Sequence, residues 1–393
     1  MKIGLFADSY LPYVSGVVRS IETFSKELKK LGHQVYIFAP DYPGVASEAN
    51  IYRFPSIRSL AHDNFYLAIP FSPGLNKYLE QNPLDIVHVH SPFILGRVGA
   101  KLARKLKVPL VFTYHTLYDQ YTHYVPICRG ISKDITKKWC TEFSNRCDLV
   151  ITPTQIIGKH IESMGVKTKI SWLPTGINIE EFQNQDKTWL RRVYNIEPED
   201  TILLFVGRMG KEKNIYFLIN CLQRLINESN IGFRLVLVGT GPETENLKDY
   251  CIKKALANRV IFTGPLSRED LVKTFCGADL FVFSSLTETQ GIVIAEAKAA
   301  GLPTVAVNAF GVANMVCHQD DGLLVPHEEE AFVKGILEII EKPLLQQQMG
   351  KRARINANDI SAGSCARKLE GLYQELILNN NLLNGEKRNI NIL

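Results

Sequence analysis

The chain has no uninterrupted apolar run of eighteen residues, so no segment reads as a transmembrane helix. Its eight cysteines include no C-x-x-C pair, and none lies near a histidine pair at zinc spacing. That excludes a disulfide frame and a structural metal, and reduced thiols point to a cytoplasmic protein. The apolar N-terminus "MKIGLFADSYLPYV" lacks a small-residue cleavage site and reads as a first strand, not a signal peptide. A dinucleotide dehydrogenase would carry G-x-G-x-x-G directly after that strand, where "DSYLPYVSGVVRS" holds only Gly16. No Asp-x-Asp occurs, so neither an essential divalent ion nor another cofactor is expected.

Acid is the scarcer sign only in the first half. Residues 1–190 carry 22 Lys/Arg against 16 Asp/Glu, a balance of +6, whereas the rest carries 23 against 24. The excess is either an ordinary solvated surface or a half that meets something anionic.

What is present is alternation. "KIGLFAD", "QVYIFAP", "IVHVH", "LVFTYH" and "LVITPT" read as buried strands, separated by helical periods at Ile21–Leu31 and at the basic Gly96–Leu106. The pattern restarts after the polar connector "LPTGINIEEFQNQDKTW", with "TILLFVG", "RLVLVG", "VIFTG", "LFVFSS" and "PTVAV" as strands. The fold class is α/β, with two Rossmann-like, doubly wound units expected to face each other across a cleft. Ligands of such sheets bind beyond the carboxyl ends of the strands. The terminal "NNNLLNGEKRNINIL" reads as frayed.

Several loops at those carboxyl ends carry chemistry. Gly16 precedes a helix N-terminus that could present N–H groups to a phosphate, though plain turn geometry serves equally. In "VGRMGKEKNI", Val206–Ile215, Arg208 and Lys213 either clamp a diphosphate or are simply solvated. "LVGTGPE", Leu237–Glu243, is a second glycine turn after a strand, with Gly239 at its centre. "SLTETQGIVIAEAKAAGLPTVAV", Ser285–Val307, sets Glu288 on a loop and Glu296 in a helix that Gly301 stops. The N–H groups of Thr289, Gln290 and Gly291 stand at that helix's entrance. A carboxylate accepts two hydrogen bonds from a vicinal diol, so ribose and hexose suit the two acids; a cap and a paired structural acid are the alternative. His88 and His90 alternate on one strand, and His115 follows another.

"FVGRMGKEKN", "LVGTGPE" and "ETQGIVIAEAKAAGLPTVA", in this order, resemble glycosyltransferase family 4, which has the GT-B fold. The resemblance runs from Met1 to about residue 370. It implies units at 1–172 and 190–364, with a helix at about 365–380 packing back on the first. It gives Glu288 to the donor sugar, Glu296 to the ribose, and Arg208 with Lys213 to the leaving diphosphate. His115 would lie beside the transferred sugar and Gly16 near the phosphates. It implies a retaining, metal-independent transfer from a nucleotide sugar. Ser15-Gly16 stands where many members have Gly-Gly, and "MGKE" puts a glycine where others carry polar residues.

The segment "YHTLYDQYTHYVP", Tyr114–Pro126, is similar to the acceptor side of bacterial diacylglycerol glucosyltransferases. That likeness implies UDP-glucose as donor and a lipid acceptor met by Tyr118, Tyr121, His123 and Tyr124. An inositol-lipid mannosyltransferase, a soluble-acceptor enzyme and a non-catalytic nucleotide-sugar module are the alternatives. In "GRVGAKLARKLK", Lys101, Arg104 and Lys105 share a helical face, with Leu102 and Leu106 on another. Such a helix either lies on an anionic membrane or is the solvent face of a sheet-covering helix. The expected partners are a nucleotide sugar, a lipid and an anionic surface, not nucleic acid. The expected location is peripheral, on the cytoplasmic face of the cell membrane.

Overall fold

The computed structural model describes residues 1–59, 65–118 and 133–390. Within residues 1–176 the strands are β1 (Lys2–Phe6), β2 (Gln34–Pro40), β3 (Ile51–Phe54), β4 (Ser56–Arg58), β5 (Tyr66–Ala68), β6 (Ile86–Val89), β7 (Leu110–Thr113), β8 (Leu149–Thr152) and β9 (Ile170–Trp172). Seven form a parallel sheet in the order β3-β2-β1-β6-β7-β8-β9, and β4 and β5 make a short antiparallel pair. β1, β6, β7 and β8 are almost continuously buried, as strands covered on both faces must be.

The second unit begins its sheet with β10 (Thr201–Val206), followed by β11 (Phe233–Val238), β12 (Val260–Gly264), β13 (Leu280–Phe283), β14 (Thr304–Val307) and β15 (Gly322–Val325). Their order is β12-β11-β10-β13-β14-β15, all parallel. Each sheet reverses its strand order once, between β1 and β6 in the first and between β10 and β13 in the second. In such sheets a crevice opens at that reversal, beyond the carboxyl ends.

The chain divides into residues 1–176 with 362–393, and residues 177–361. The connector therefore belongs to the second unit from residue 177, earlier than the expected 190, because Phe182 and Leu190 are buried in that unit's core. The last helix, Ala362–Ile390, returns to the first unit and packs on the helix Gly16–Lys30. Cys365, Ala366, Leu369 and Tyr373 are all buried in the core beneath β1 and β2.

Two expectations are corrected here. The first helix starts at Gly16, not Ile21, because Ser15 caps it: the Ser15 Oγ accepts from the Val18 N–H at 3.3 Å. The C-terminal stretch expected to fray is helical to Ile390. Propagation from turns already docked by Leu369 and Tyr373 adds a backbone bond per residue without a new nucleation cost, and the Asn380 amide donates to the Lys107 carbonyl at 2.9 Å.

Candidate active site

In the second unit, two loops leave the point where strand order reverses: residues 207–214 after β10 and 284–291 after β13. They are laced together by serines that no motif singled out. The Ser284 hydroxyl donates to the carbonyls of Lys213 (2.8 Å) and Asn214 (3.0 Å), and the Ser285 hydroxyl to Glu212 (3.2 Å). A third loop, after β11, joins them. The Met209 N–H donates to Thr240 at 3.1 Å, and the Glu243 N–H returns to Met209 at 3.0 Å. Gly239 sits at φ +121°, and a Cβ there would strike the Gly207 carbonyl. The glycine thus lets two strand-end loops approach backbone to backbone.

This lacing brings Lys213 to Glu288, and the two form an ion pair. Arg208 stands exposed on the same loop. The Glu288 carbonyl accepts from the Gly311 N–H at 2.9 Å, which fixes the loop beside the carboxylate. Gln290 is buried, and Gly291 caps the helix Ile292–Ala300 from the left-handed region at φ +77°.

Glu296 meets a different cation, on another helix. Its carboxylate is buried and pairs with Arg268, the first residue of the helix Arg268–Gly277. Arg268 also donates to Glu181 at 2.7 Å and lies over the Phe182 ring at 5.5 Å. Burial opposes the charge on Arg268, but Glu296 and then Glu181 outweigh it and raise the guanidinium above its ordinary range. Sequence reasoning missed Arg268. A carboxylate inside an apolar helix signals that some cation must meet it, but nothing local says which one.

In the first unit, Gly16 is the first residue of its helix, and a Cβ there would meet nothing within 4 Å. His115 follows β7 and does not stand alone. Its Nε2 lies 2.9 Å from His90 Nδ1, and the two rings stack with centroids 5.2 Å apart. His90 in turn stacks on His88 at 4.4 Å. His88 is held at both nitrogens, by the Tyr373 hydroxyl at 2.5 Å and by Thr113 at 2.6 Å. Burial lowers all three: His115 to about 3, His88 to about 3 with His115 adding, and His90 well below its usual value. The imidazoles are therefore neutral. A small cavity lined by Ser20, His88, Thr113, His115 and Thr175 lies beside them.

Asp8, at the end of β1, was also missed. It accepts from the Leu95 N–H at 2.8 Å and from the Ser91 hydroxyl, capping the helix Ile94–Leu106, whose own N-cap residue Phe93 makes no side-chain cap bond. Burial pushes the Asp8 carboxyl up against the pull of those hydrogen bonds.

On the acceptor side, Tyr118 is buried, its ring edge-on to Phe93 at 5.2 Å and Tyr114 at 5.3 Å. Tyr121, His123 and Tyr124 lie outside the described residues. Lys101, Arg104 and Lys105 are exposed, but Leu102 is buried and the helix packs on β6. The surface-lying geometry is thereby corrected: this helix has spent its apolar face on its own sheet, and only the basic face is presented. No helix among the described residues is long and apolar enough to cross a membrane. Among the described residues, Cys317, Asp320 and Asp321 form a group with metal-capable atoms. Asp321 meets Lys298 at 2.6 Å and Asp320 meets Arg352 at 2.7 Å, so cations already engage those carboxylates.

The chain is similar to known proteins over most of its length. The model described as Glycosyltransferase Family 4 matches residues 14–181, and that described as Glycosyl transferases group 1 matches residues 186–356. An alpha-monoglucosyldiacylglycerol synthase of Streptococcus pneumoniae is 31% identical over 392 residues, covering 97% of this chain and 87% of that protein. A GDP-mannose-dependent alpha-mannosyltransferase of Corynebacterium glutamicum is 30% identical, covering 83% of this chain and 76% of its own. Among solved structures, sucrose-phosphate synthase from Thermosynechococcus elongatus superposes with a TM-score of 0.78 at 21% identity, covering 96% of this chain and 99% of that one. The chain belongs to glycosyltransferase family 4 and has the GT-B fold.

Proposed function

We propose that this glycosyltransferase moves glucose from UDP-glucose onto a membrane lipid such as 1,2-diacylglycerol, with retention of anomeric configuration. The observation that carries the reading is the ion pair of Lys213 with Glu288 across the laced loops where the second sheet reverses, with Arg208 exposed on the same loop as Lys213. Arg208 and Lys213 meet the diphosphate and stabilise charge developing on it as the sugar departs. Lys213 has three N–H donors, so it can hold Glu288 and a phosphate oxygen together. Glu288 takes the sugar and Glu296 the ribose. Gly239 and the N–H groups at Thr289, Gln290 and Gly291 complete the donor side. The family likeness also gives His115 to the transferred sugar and Gly16 to the phosphates. No carboxylate is assigned as a covalent nucleophile; the leaving diphosphate accepts the proton of the acceptor hydroxyl on the face it departs from. The absence of Asp-x-Asp supports transfer without a metal.

The lipid acceptor and the glucose rest on the likeness to the pneumococcal synthase. The exposed basic face of Ile94–Leu106 suits attachment to the cytoplasmic leaflet. Mannosyl transfer from GDP-mannose is the second reading, favoured by the corynebacterial relative. A screen of UDP- and GDP-sugars against vesicles containing diacylglycerol tests both. Glucosyl-diacylglycerol formed from UDP-glucose without added divalent ion supports the first reading. Transfer only from GDP-mannose, or only to a soluble acceptor, overturns it.

A further inference from the structure

Arg268 is the open half of a pair whose other half is buried. Its side chain is 39% exposed against 2% for Glu296, so the guanidinium is the part of the pair that a ligand meets. Its place is fixed from three sides, all within the second unit. The Ser267 Oγ accepts from the Asp270 N–H at 3.1 Å and starts the helix at Arg268. The Phe182 ring lies against the guanidinium at 5.5 Å. One Glu181 oxygen takes the Nε–H at 2.7 Å and Nη2 at 2.7 Å, and Glu296 takes Nη1. A guanidinium carries five N–H donors in a planar fork. The two carboxylates use one on Nε, one on Nη2 and one on Nη1, which leaves one N–H on each Nη.

We propose that Arg268 donates to the same ribose hydroxyl that Glu296 accepts from, so that cation and acid together select a ribonucleotide. A hydroxyl has one O–H to donate and two lone pairs to fill. An ionised carboxylate only accepts, and a guanidinium only donates. Side by side they complement both functions of a hydroxyl, and a C–H in its place satisfies neither. A site built to hydrogen-bond a substrate hydroxyl rejects the analogue that lacks it, because its own polar groups are then left unpaired. Glu181 and Phe182 hold the guanidinium before a ligand arrives, so little side-chain ordering remains for the binding step. Arg268 thereby determines specificity for the nucleotide, not for the sugar transferred. This assignment rests on the reading of Glu296 as the ribose acid.

Calorimetry on the full chain tests it with UDP and GDP, each beside its 2′,3′-dideoxy counterpart, and the tighter-binding pair is read. The wild type should bind the ribose form about tenfold or more tighter than the dideoxy form. Arg268→Gln should bring the two within about twofold and leave inorganic pyrophosphate binding unchanged. In turnover the loss should appear in the donor KM, with kcat kept within about threefold. Arg268→Lys keeps a charge for Glu296 without the fork for Glu181, and should discriminate about threefold. Thermal unfolding checks that each variant is folded, and Arg268→Lys decides alone if Arg268→Gln is not. A folded Arg268 variant that discriminates as the wild type does, while Glu296→Ala does not, overturns the proposal and leaves Glu296 at the ribose. An equal loss of pyrophosphate binding makes Arg268 a general anion contact and overturns it too. A wild type that binds both forms equally, or discrimination that survives Glu296→Ala, removes the ribose reading and the shared hydroxyl with it.

Discussion

Lys213 and Glu288 stand 75 positions apart and meet as an ion pair at the carboxyl end of the second sheet, with side chains 18% and 17% exposed. Each therefore sets where the other's charge lies. If the pair works on the donor, Lys213→Ala and Arg208→Ala should each lower turnover about a hundredfold or more with the fold intact. Because the two side chains touch, Lys213→Ala and Glu288→Ala should not add: the double variant should lose less than the two singles predict. Full turnover of either cation variant at saturating donor would remove the clamp, and strict additivity would remove the coupling.

Glu296 and Glu288 occupy different surroundings, so their loss should read differently. Glu296 is buried against Arg268, while Glu288 lies on a partly open loop. If Glu296 holds the ribose, Glu296→Ala should weaken binding of free nucleoside diphosphate about tenfold or more, a charged hydrogen bond being worth about 1.5–3 kcal/mol. Glu288→Ala should spare the free diphosphate and damage sugar transfer. Calorimetry in which both variants lose the diphosphate equally would end this division.

The buried histidines make acid destabilising. His88 and His115 are held at about 3 in the folded protein by burial, against about 6.5 in an unfolded chain. Below pH 6.5 the unfolded chain binds protons that the folded chain refuses, so stability is full above that pH and falls toward pH 3. At pH 5 each ring costs about 2 kcal/mol. His90 acts in the same direction, and the raised carboxyl of Asp8 partly opposes it. Urea unfolding at pH 7.5 and 5.0 should show the loss, and His115→Gln should make the dependence shallower by about one proton. Equal stability at the two pH values would contradict neutral burial.

Features that depend on neighbours in sequence were legible, and those that depend on distant neighbours were not. The helix Ile292–Ala300 was read with its limits because Gly291 and Gly301 both adopt positive φ, 77° and 73°, where glycine is the favoured residue. The loop cations stand out because they follow a strand end in a doubly wound pattern, and Glu288 and Glu296 because one lies on a loop before a glycine and the other inside an apolar helix. Arg268 for Glu296, His90 for His115 and Asp8 for the helix at Ile94 come from tertiary pairing, which leaves no local periodicity. The basic helix shows the same limit. Its charged face was visible, but whether Leu102 faces a bilayer or β6 is decided only by the sheet.

That burial sharpens what membrane attachment can be. With Leu102 packed inside, the helix Ile94–Leu106 offers Lys101, Arg104 and Lys105 as point charges and no apolar wedge. Three cations near an anionic surface contribute about 1 kcal/mol each, which gives reversible adsorption. It should fade as salt shortens the Debye length from about 10 Å at 0.1 M to about 3 Å at 1 M. Vesicle sedimentation should accordingly require anionic lipid and drop sharply by about 0.5 M salt. A Lys101/Arg104/Lys105→Glu triple variant should lose sedimentation and keep donor hydrolysis, because Arg208, Lys213 and both glutamates belong to the other unit. All three side chains are exposed, so the variant should fold. Equal binding to neutral vesicles, or a triple variant that still sediments with anionic ones, would make this helix a solvated face and leave the lipid acceptor to rest on the relatives alone.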